Sequence, residues 1–119
     1  MSIFSSEIQE RDNKPSPYIG TDEFFGKKWQ IKGCEIIVSK NIKYGANEKD
    51  ALFTSGILKE GETLRYSFAD ETGLERIYDS KGMSFYLGFK NAEDVVDNDW
   101  VTISAEGKGD TRRYTVKKV

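Results

Sequence analysis

Several positions in the chain place a cation next to a tyrosine or one residue away from it. These pairs are Lys43 with Tyr44, Arg65 with Tyr66, Arg76 with Tyr78, and Arg113 with Tyr114. Lysine and arginine neutralise phosphates, and a flat aromatic ring stacks on an unpaired base with about 1–3 kcal/mol per base. A protein that holds a single-stranded nucleic acid needs both chemistries. The pairs therefore indicate a surface for such a strand.

Catalysis has little support in the sequence. The chain has no histidine, so it lacks the commonest general base and the commonest metal ligand. It contains no Gly-x-Ser-x-Gly, no phosphate-binding glycine loop and no cysteine–histidine cluster. The carboxylates of residues 93–99 suit the start of a short helix. We therefore expect a protein that is not an enzyme and that uses no metal and no cofactor.

Strand alternation indicates which side chains could meet a ligand, because neighbouring strand residues face opposite ways. Tyr66 and Tyr114 share the apolar parity, which favours the core. Arg76 and Tyr78 share one face and are the best pair on a strand. The expected nucleic-acid-binding residues are Lys32, Lys43, Arg65, Arg76, Lys108, Arg112 and Arg113 for phosphates, Tyr44, Tyr78 and Tyr86 for bases, and Trp29 and Trp100 as weaker stacking candidates.

The end of the chain is the clearest structural element. Val101, Ile103 and Ala105 alternate with polar residues, and the alternation resumes over residues 113–117 after a glycine-containing turn at 106–110. This pattern predicts a β-hairpin with a basic tip.

A long first strand is predicted before it. Its apolar residues change parity at Gly33: Trp29 and Ile31 lie before the change, and Cys34 and Ile36 lie after it. A one-residue bulge at Gly33 would return all of them to one face and would bend the strand.

The middle of the chain predicts another hairpin. Residues 63–68 and 74–79 alternate around a tight turn. Residues 84–89 alternate as well, and we interpret them as a continuation of the returning strand. Asn91 is a suitable N-cap, and it predicts a short helix over residues 91–98.

This order of elements predicts an all-β fold with one short helix, a five-stranded Greek-key barrel of the OB type. The first strand should neighbour the fourth, and the fifth should help to close the barrel against the first. An SH3-like barrel or a small sandwich is the alternative, because periodicity does not fix closure. We expect residues 1–20, with Pro15 and Pro17, to form an extended arm, and residues 21–119 to form the domain.

Charge is unevenly distributed, although the net charge is only −2. Residues 27–49 have a net charge of +4 and residues 101–119 of +3, whereas residues 91–100 have −4. If the fold brings the two basic segments together, a basic groove forms on an acidic protein. Scattered solvated charge is the alternative.

Other features of the sequence bear on location. The N-terminus lacks the pattern of a secretory signal, no apolar run approaches the ~20 residues of a membrane span, and Cys34 is the only cysteine. We therefore expect a cytoplasmic protein with no membrane partner.

The stretch Gly73–Ser80 and the ending, Asp99–Ile103 with Gly107–Val116, resemble the small single-stranded DNA-binding proteins of tailed phages of lactic-acid bacteria, in particular the lactococcal ones. The resemblance implies an OB fold that coats single strands during phage replication and recombination in the host cytoplasm. It also implies a homo-oligomer, a dimer or tetramer, and a recombinase or annealing protein as partner.

One departure from the family pattern concerns the C-terminus. Bacterial relatives end in an acidic tail with an apolar tip that recruits partners, whereas this chain ends Lys117-Lys118-Val119. Partners are therefore expected on another surface, for which the acidic residues 93–99 are the candidate.

Sequence-tolerant binding of single-stranded DNA is thus the expected function. A non-enzymatic protein-interaction or phage structural module on a β-barrel is the alternative, favoured by the acidic balance and the arm. An oligosaccharide-binding barrel would use the same tyrosines but would depend little on salt.

Overall fold

The computed structural model describes residues 17–39, 45–108 and 112–119. An antiparallel sheet forms its centre, with the strands β1 (Lys28–Val38), β2 (Glu62–Ala69), β3 (Glu75–Ser80), β4 (Trp100–Glu106) and β5 (Arg113–Lys118). A 3₁₀ turn (Thr21–Phe24) precedes β1, helix α1 (Ala51–Thr54) lies between β1 and β2, and helix α2 (Met83–Lys90) lies between β3 and β4.

The strand order in the sheet is β3-β2-β1-β4-β5. The predicted fold class is confirmed, because a five-stranded sheet is combined with one short helix between the third and fourth strands. The predicted neighbourhood of β1 and β4 is also confirmed. The predicted place of the fifth strand is wrong: β5 lies on the far side of β4, away from β1, and the sheet is not closed.

Strand β1 serves two parts of the sheet. Residues 28–30 pair with β4, and residues 30–38 pair with β2. The register shifts between Ile31 and Gly33. Gly33 has a φ of +151°, which residues other than glycine rarely adopt. The bulge predicted at Gly33 is therefore confirmed.

Beyond the bulge, β1 extends past the packed core. Cys34 and Ile36 pair with Tyr66 and Leu64, which are both buried on the inner face of β2. Directly paired residues project to the same side, so the bulge aligns the two inner faces as predicted. Ile36 and Val38 nevertheless remain 49% and 74% exposed.

Helix α2 replaces the strand that was predicted over residues 84–89, and residues 91–98 form turns instead of the predicted helix. Phe85 and Phe89 are four residues apart, so they share a helix face as readily as they share strand parity. Both rings pack into the core from the helix. Helix and strand periodicity both place Phe85 and Phe89 on one face, so alternation alone does not separate the two structures. The strand interpretation of residues 84–89 was wrong.

Close packing on β5 explains the helix. A Cβ atom at Gly88 would lie 3.0 Å from the carbonyl oxygen of Tyr114, so glycine lets α2 rest directly on the strand. Phe85 then contacts the ring of Tyr114, with centroids 5.0 Å apart.

Aromatic rings fill the core. Phe24 from the 3₁₀ turn lies between Trp29, Phe68 and Phe85, with ring centroids 5.4–5.6 Å away. Such pairs add about 0.5–1.5 kcal/mol each beyond the burial of their area. Trp29 is fully buried and donates its indole N–H to the carbonyl oxygen of Phe24 at 3.1 Å. The turn before β1 is therefore part of the core.

The segment Pro17–Ile19 lies along the free edge of β3. Ile19 donates its backbone N–H to Ile77 at 2.8 Å, and Ile77 donates to Pro17 at 2.8 Å. Tyr18 and Ile77 pair in parallel, and Ile19 is buried. The segment thus occupies the edge through which β3 would have to join β5 in a closed barrel. Residues 1–16 of the predicted arm lie outside the described residues.

Candidate nucleic-acid interface

A row of exposed residues crosses three strands near the start of β1. Lys28 pairs with Thr102, and Thr102 pairs with Lys117. Directly paired residues project from one face, and the opposite face holds the buried Trp29 and Val101. Neighbouring strands lie about 5 Å apart, so the two lysines leave the sheet about 10 Å from each other.

Alternation extends this row into a surface, which we call the basic face. It consists of Lys28, Gln30, Lys32, Trp100, Thr102, Ser104, Glu106, Arg113, Thr115 and Lys117. The two basic segments of the sequence meet here, through the pairing of residues 28–30 with residues 100–102. Contact between the two basic segments is what the charge distribution requires for a basic groove.

The cations of the basic face have no carboxylate partner within the described part of the chain. The ion pairs found there involve other cations: Arg65, Arg76, Lys81 and Lys118. Lys32 donates to the side-chain oxygen of Asn98 at 3.3 Å, and Glu106 lies opposite Arg113 in the register. When unpaired cations bind phosphates, counterions that had condensed on the nucleic acid are released, which favours binding. Hydroxyl groups beside the cations can donate hydrogen bonds to phosphate oxygens.

Trp100 provides a ring on this face. It begins β4, is partly exposed and pairs with Gln30. The structure therefore places this predicted stacking candidate among cations. Trp29, the other tryptophan candidate, lies beneath the sheet as part of the core and has no surface to offer a base.

Arg65 lies on a different outer surface, formed by β2 and β3. Its Nε and Nη2 atoms donate to the two carboxylate oxygens of Asp79 at 2.9 and 3.0 Å. This bidentate pair holds the pKa of Arg65 above its ordinary value. The charge of Arg65 is thus already neutralised.

A cleft of about 1060 Å³ opens beside this pair, lined by Tyr18, Thr63, Arg65, Asp79 and Lys81 among others. We call it the paired cleft. Its second cation, Lys81, forms an ion pair with Asp50 at 3.2 Å. The cleft therefore has a ring and two cations, but both cations have carboxylate partners.

Arg76 joins three parts of the chain at the end of the core. Its Nη2 atom lies 2.9 Å from the carboxylate of Glu23 and donates to the carbonyl oxygen of Tyr18 at 3.1 Å. Its Nη1 atom lies 4.0 Å from Asp70, and the guanidinium carbon lies 5.9 Å from the ring centre of Trp29. With a side chain only 13% exposed, Arg76 is placed to hold the fold together.

Hydrogen bonds and the charge of Arg76 together lower the pKa values of these carboxylates. A backbone hydrogen bond from Gly20, followed by the bond from Arg76, lowers the pKa of Glu23 below its ordinary value. A hydrogen bond from Thr72, and to a smaller extent the charge of Arg76, lowers the pKa of Asp70.

Tyr78 shares a face with Arg76 as predicted, but this is the inner face of the sheet. Its ring centroid lies 4.9 Å from that of Phe24 and 4.7 Å from that of Phe85. The ring is thus packed in the core, where it contacts other rings of the protein.

The remaining candidates do not join the basic face. Tyr86 lies half-buried on α2, with the ammonium of Lys90 5.9 Å from its ring centre. The guanidinium of Arg112 lies over the rings of Phe25 and Tyr114, at 5.4 and 5.3 Å.

The two connecting loops contain the other predicted residues. Lys108 is exposed at the β4–β5 connection. Lys43 and Tyr44 lie outside the described residues. The structure thus places Lys32, Arg113 and Trp100 from the predicted set on one face of the sheet, although Arg113 lies at the opposite end of β4 from Trp100.

Lys28 and Lys117 belong to the basic face but were missed from the sequence. Each has the polar parity of its strand, which was the available signal. Neither stands beside a tyrosine in the predicted pairs, and only the strand register places them in one row.

Comparisons with family models, curated proteins and solved structures gave no match. Among the described residues, no group of three or more cysteine, aspartate or glutamate side chains is arranged to hold a metal ion. No helix within the same residues has both the length and the apolar character needed to cross a bilayer.

Proposed function

We propose that the protein binds single-stranded DNA without sequence preference and is not an enzyme. The basic face is the observation that supports this function best. Its lysines and arginine have no carboxylate partner among the described residues, and they share an exposed sheet surface with Trp100. Free cations bind the phosphates, and the ring stacks on a base that is not paired in a duplex.

The proposed role is to protect and organise single strands during phage replication and recombination in the host cytoplasm. The protein would act as a homo-oligomer, a dimer or tetramer, together with a recombinase or annealing protein. This part of the proposal depends on the sequence resemblance to phage proteins of that kind.

A titration of tryptophan fluorescence with oligo-dT, repeated at several salt concentrations and with duplex DNA, tests the proposal. Trp100 should be quenched by the single strand and little by the duplex. Log affinity should fall against log salt with a slope of about −0.7 for each neutralised phosphate. Replacing both Lys28 and Lys117 with alanine should therefore make the slope shallower by about 1.4.

The matched control is the double variant Arg65→Ala with Asp79→Ala, which removes a cation that is already paired. Its salt slope should equal that of the wild type. Absence of any binding in the fluorescence titration and in a gel-shift assay would refute the function.

The exposed apolar residues of β1 favour one second candidate, a protein-interaction module. Ile36 and Val38 project from a strand that extends beyond the core. This candidate predicts no response to oligonucleotides and a self-association that weakens when Ile36 and Val38 are replaced with serine. Sedimentation velocity measures that change directly.

A further inference from the structure

A separate pocket lies on the inner side of β1, where helix α2 and the segment after it approach the sheet. It has a volume of about 320 Å³. Four aromatic residues, Tyr66, Phe68, Tyr86 and Phe89, line it together with Cys34, Val96 and Asp97 among others. The rings of Tyr66 and Phe89 are stacked, with centroids 5.4 Å apart and planes 29° apart. The lining of the pocket is thus largely aromatic.

The pocket begins where the basic face ends. Gly33 and Cys34, which line it, directly follow Lys32 in β1. The ammonium of Lys32 donates to Asn98, the neighbour of the lining residue Asp97. A backbone hydrogen bond of 2.7 Å from Asn98 to Ile31 fixes this segment against the strand. The basic face and the pocket lie on opposite sides of the sheet, so a DNA strand that follows Lys28 and Lys32 reaches the pocket by turning around the edge of β1 beside Asn98.

Polar groups in and around the pocket suit one kind of occupant. Tyr66 is only 4% exposed, and its hydroxyl has no hydrogen-bond partner among the described residues. Burial raises the pKa of Tyr66 far above its ordinary value, so the hydroxyl stays protonated. Aromatic side chains next to the cations Lys32 and Lys90 suit a flat ring that is carried on an anionic backbone, which is what a nucleobase of a single strand provides. Lys90 stands at the rim as a further cation.

We infer that this pocket receives one base of the bound single strand, turned out from its neighbours. The base packs among the rings of Tyr66, Tyr86 and Phe89, and the adjoining phosphates meet Lys32 and Lys90. This inference rests on the proposed binding of single-stranded DNA. It assigns to the protein a base-holding site that is separate from Trp100.

Alkylation of Cys34 tests the inference on the unaltered chain, because Cys34 is the only cysteine and lines the pocket. The rate with iodoacetamide is measured in saturating oligo-dT of about 15 nucleotides, and in a saturating phosphodiester chain of the same length without bases. Oligo-dT should slow the reaction about tenfold. The abasic chain, bound to the same occupancy, should leave the rate unchanged.

The possible outcomes separate the two proposals. If oligo-dT binds but the alkylation rate stays the same, the pocket does not hold a base, while DNA binding stands. Equal protection by both chains would mean that the backbone merely covers Cys34, and this also overturns the inference. If oligo-dT does not bind at all, both proposals fail together.

A variant that fills the pocket provides the second measurement. Val96 is 63% exposed at the rim, so Val96→Trp can place a ring in the pocket without disturbing the core. Its affinity for oligo-dT should fall about tenfold, and its affinity for the abasic chain should not change. Leu74→Trp, at an exposed position in the β2–β3 turn, is the matched control and should bind like the wild type. Equal oligo-dT affinity for Val96→Trp and the wild type would overturn the inference.

Discussion

The basic face and the paired cleft are outer surfaces of the same sheet, and each combines cations with an aromatic ring. In the paired cleft, Arg65 and Lys81 form ion pairs with Asp79 and Asp50 at 2.9 and 3.2 Å. On the basic face, Lys28 and Lys117 lie on either side of Thr102, and neither has such a partner in the described structure. The type of residue is therefore a poor guide to binding, because a cation is available only where the folded chain places no carboxylate in contact with it.

Charge reversal on the two surfaces should give the largest difference between them. Replacing Lys28 and Lys117 with glutamate removes the two proposed contacts to phosphates, each worth about 1.5–3 kcal/mol, so oligo-dT affinity should fall at least about a hundredfold. Swapping Arg65 and Asp79, as Arg65→Asp with Asp79→Arg, keeps their ion pair and should leave the affinity unchanged. Fluorescence anisotropy with a labelled oligonucleotide measures both. Equal losses of oligo-dT affinity in the two variants would show that the basic face and the paired cleft do not differ in DNA binding.

Arg76 belongs to neither surface, and its replacement should affect stability. Arg76→Met leaves the carboxylates of Glu23 and Asp70 without their shared cation, which should lower the free energy of unfolding by about 2 kcal/mol. The effect is smaller than for a fully buried pair because the side chain of Glu23 is 40% exposed. Urea denaturation measures it. A loss of DNA affinity with unchanged stability would instead assign Arg76 to the interface.

Acid should weaken the contacts that Arg76 makes with Glu23 and Asp70. The folded pKa values of Glu23 and Asp70 lie below their ordinary values of 4.5 and 3.8. Both groups therefore stabilise the fold fully above pH 5, and this stabilisation is lost as the pH falls through their lowered values. Melting temperature should be constant from about pH 7 to pH 5 and should fall below about pH 4.

The variant Glu23→Gln provides the control for this pH dependence. It removes one of the two titrating groups, so its melting temperature should decline less steeply in acid than that of the wild type. An identical decline in both proteins would place the acid sensitivity elsewhere in the molecule.

The smallest expected change is a gain of affinity from Lys118, which pairs with Val101 and therefore projects from the face opposite the basic face. Asp99 pairs with Lys118 at 3.4 Å and accepts the backbone N–H of Val96 at 3.0 Å. Asp99→Asn keeps an acceptor for Val96 but frees Lys118, so oligo-dT affinity should rise about two- to threefold at low salt. Asp79→Asn, which frees Arg65 in the paired cleft, should give no gain. A gain from Asp79→Asn alone would move the DNA path to the cleft.

Local patterns were enough to predict much of the fold. The final hairpin and the hairpin of β2 and β3 follow from alternation around short turns, and the bulge follows from the change of parity at Gly33. In contrast, Phe85 and Phe89 fit a strand and a helix equally well. The contact between Gly88 and Tyr114, which favours the helix, joins residues that are distant in sequence.

The candidate site was predictable only in part, for the same physical reason. Strand alternation correctly predicted that Lys32 and Arg113 are exposed. It could not show that Glu23 and Asp79 lie against Arg76 and Arg65, because these ion pairs depend on the folded arrangement. Partners of a cation can lie anywhere in the chain, whereas alternation reports only on neighbours within one strand.

The segment Pro17–Ile19 has a consequence for how the chain folds. It covers an edge of β3 from which it is separated by a long stretch of sequence; Tyr18 and Arg76, for example, are 58 residues apart. Closing so long a loop costs chain entropy, so we expect the edge to be covered only after the β2–β3 hairpin has formed. Until then β3 presents unpaired backbone groups to which another chain can add a strand. During translation, however, residues 17–19 leave the ribosome before β3 does, so the direction of synthesis itself shortens the time for which this edge is open to aggregation.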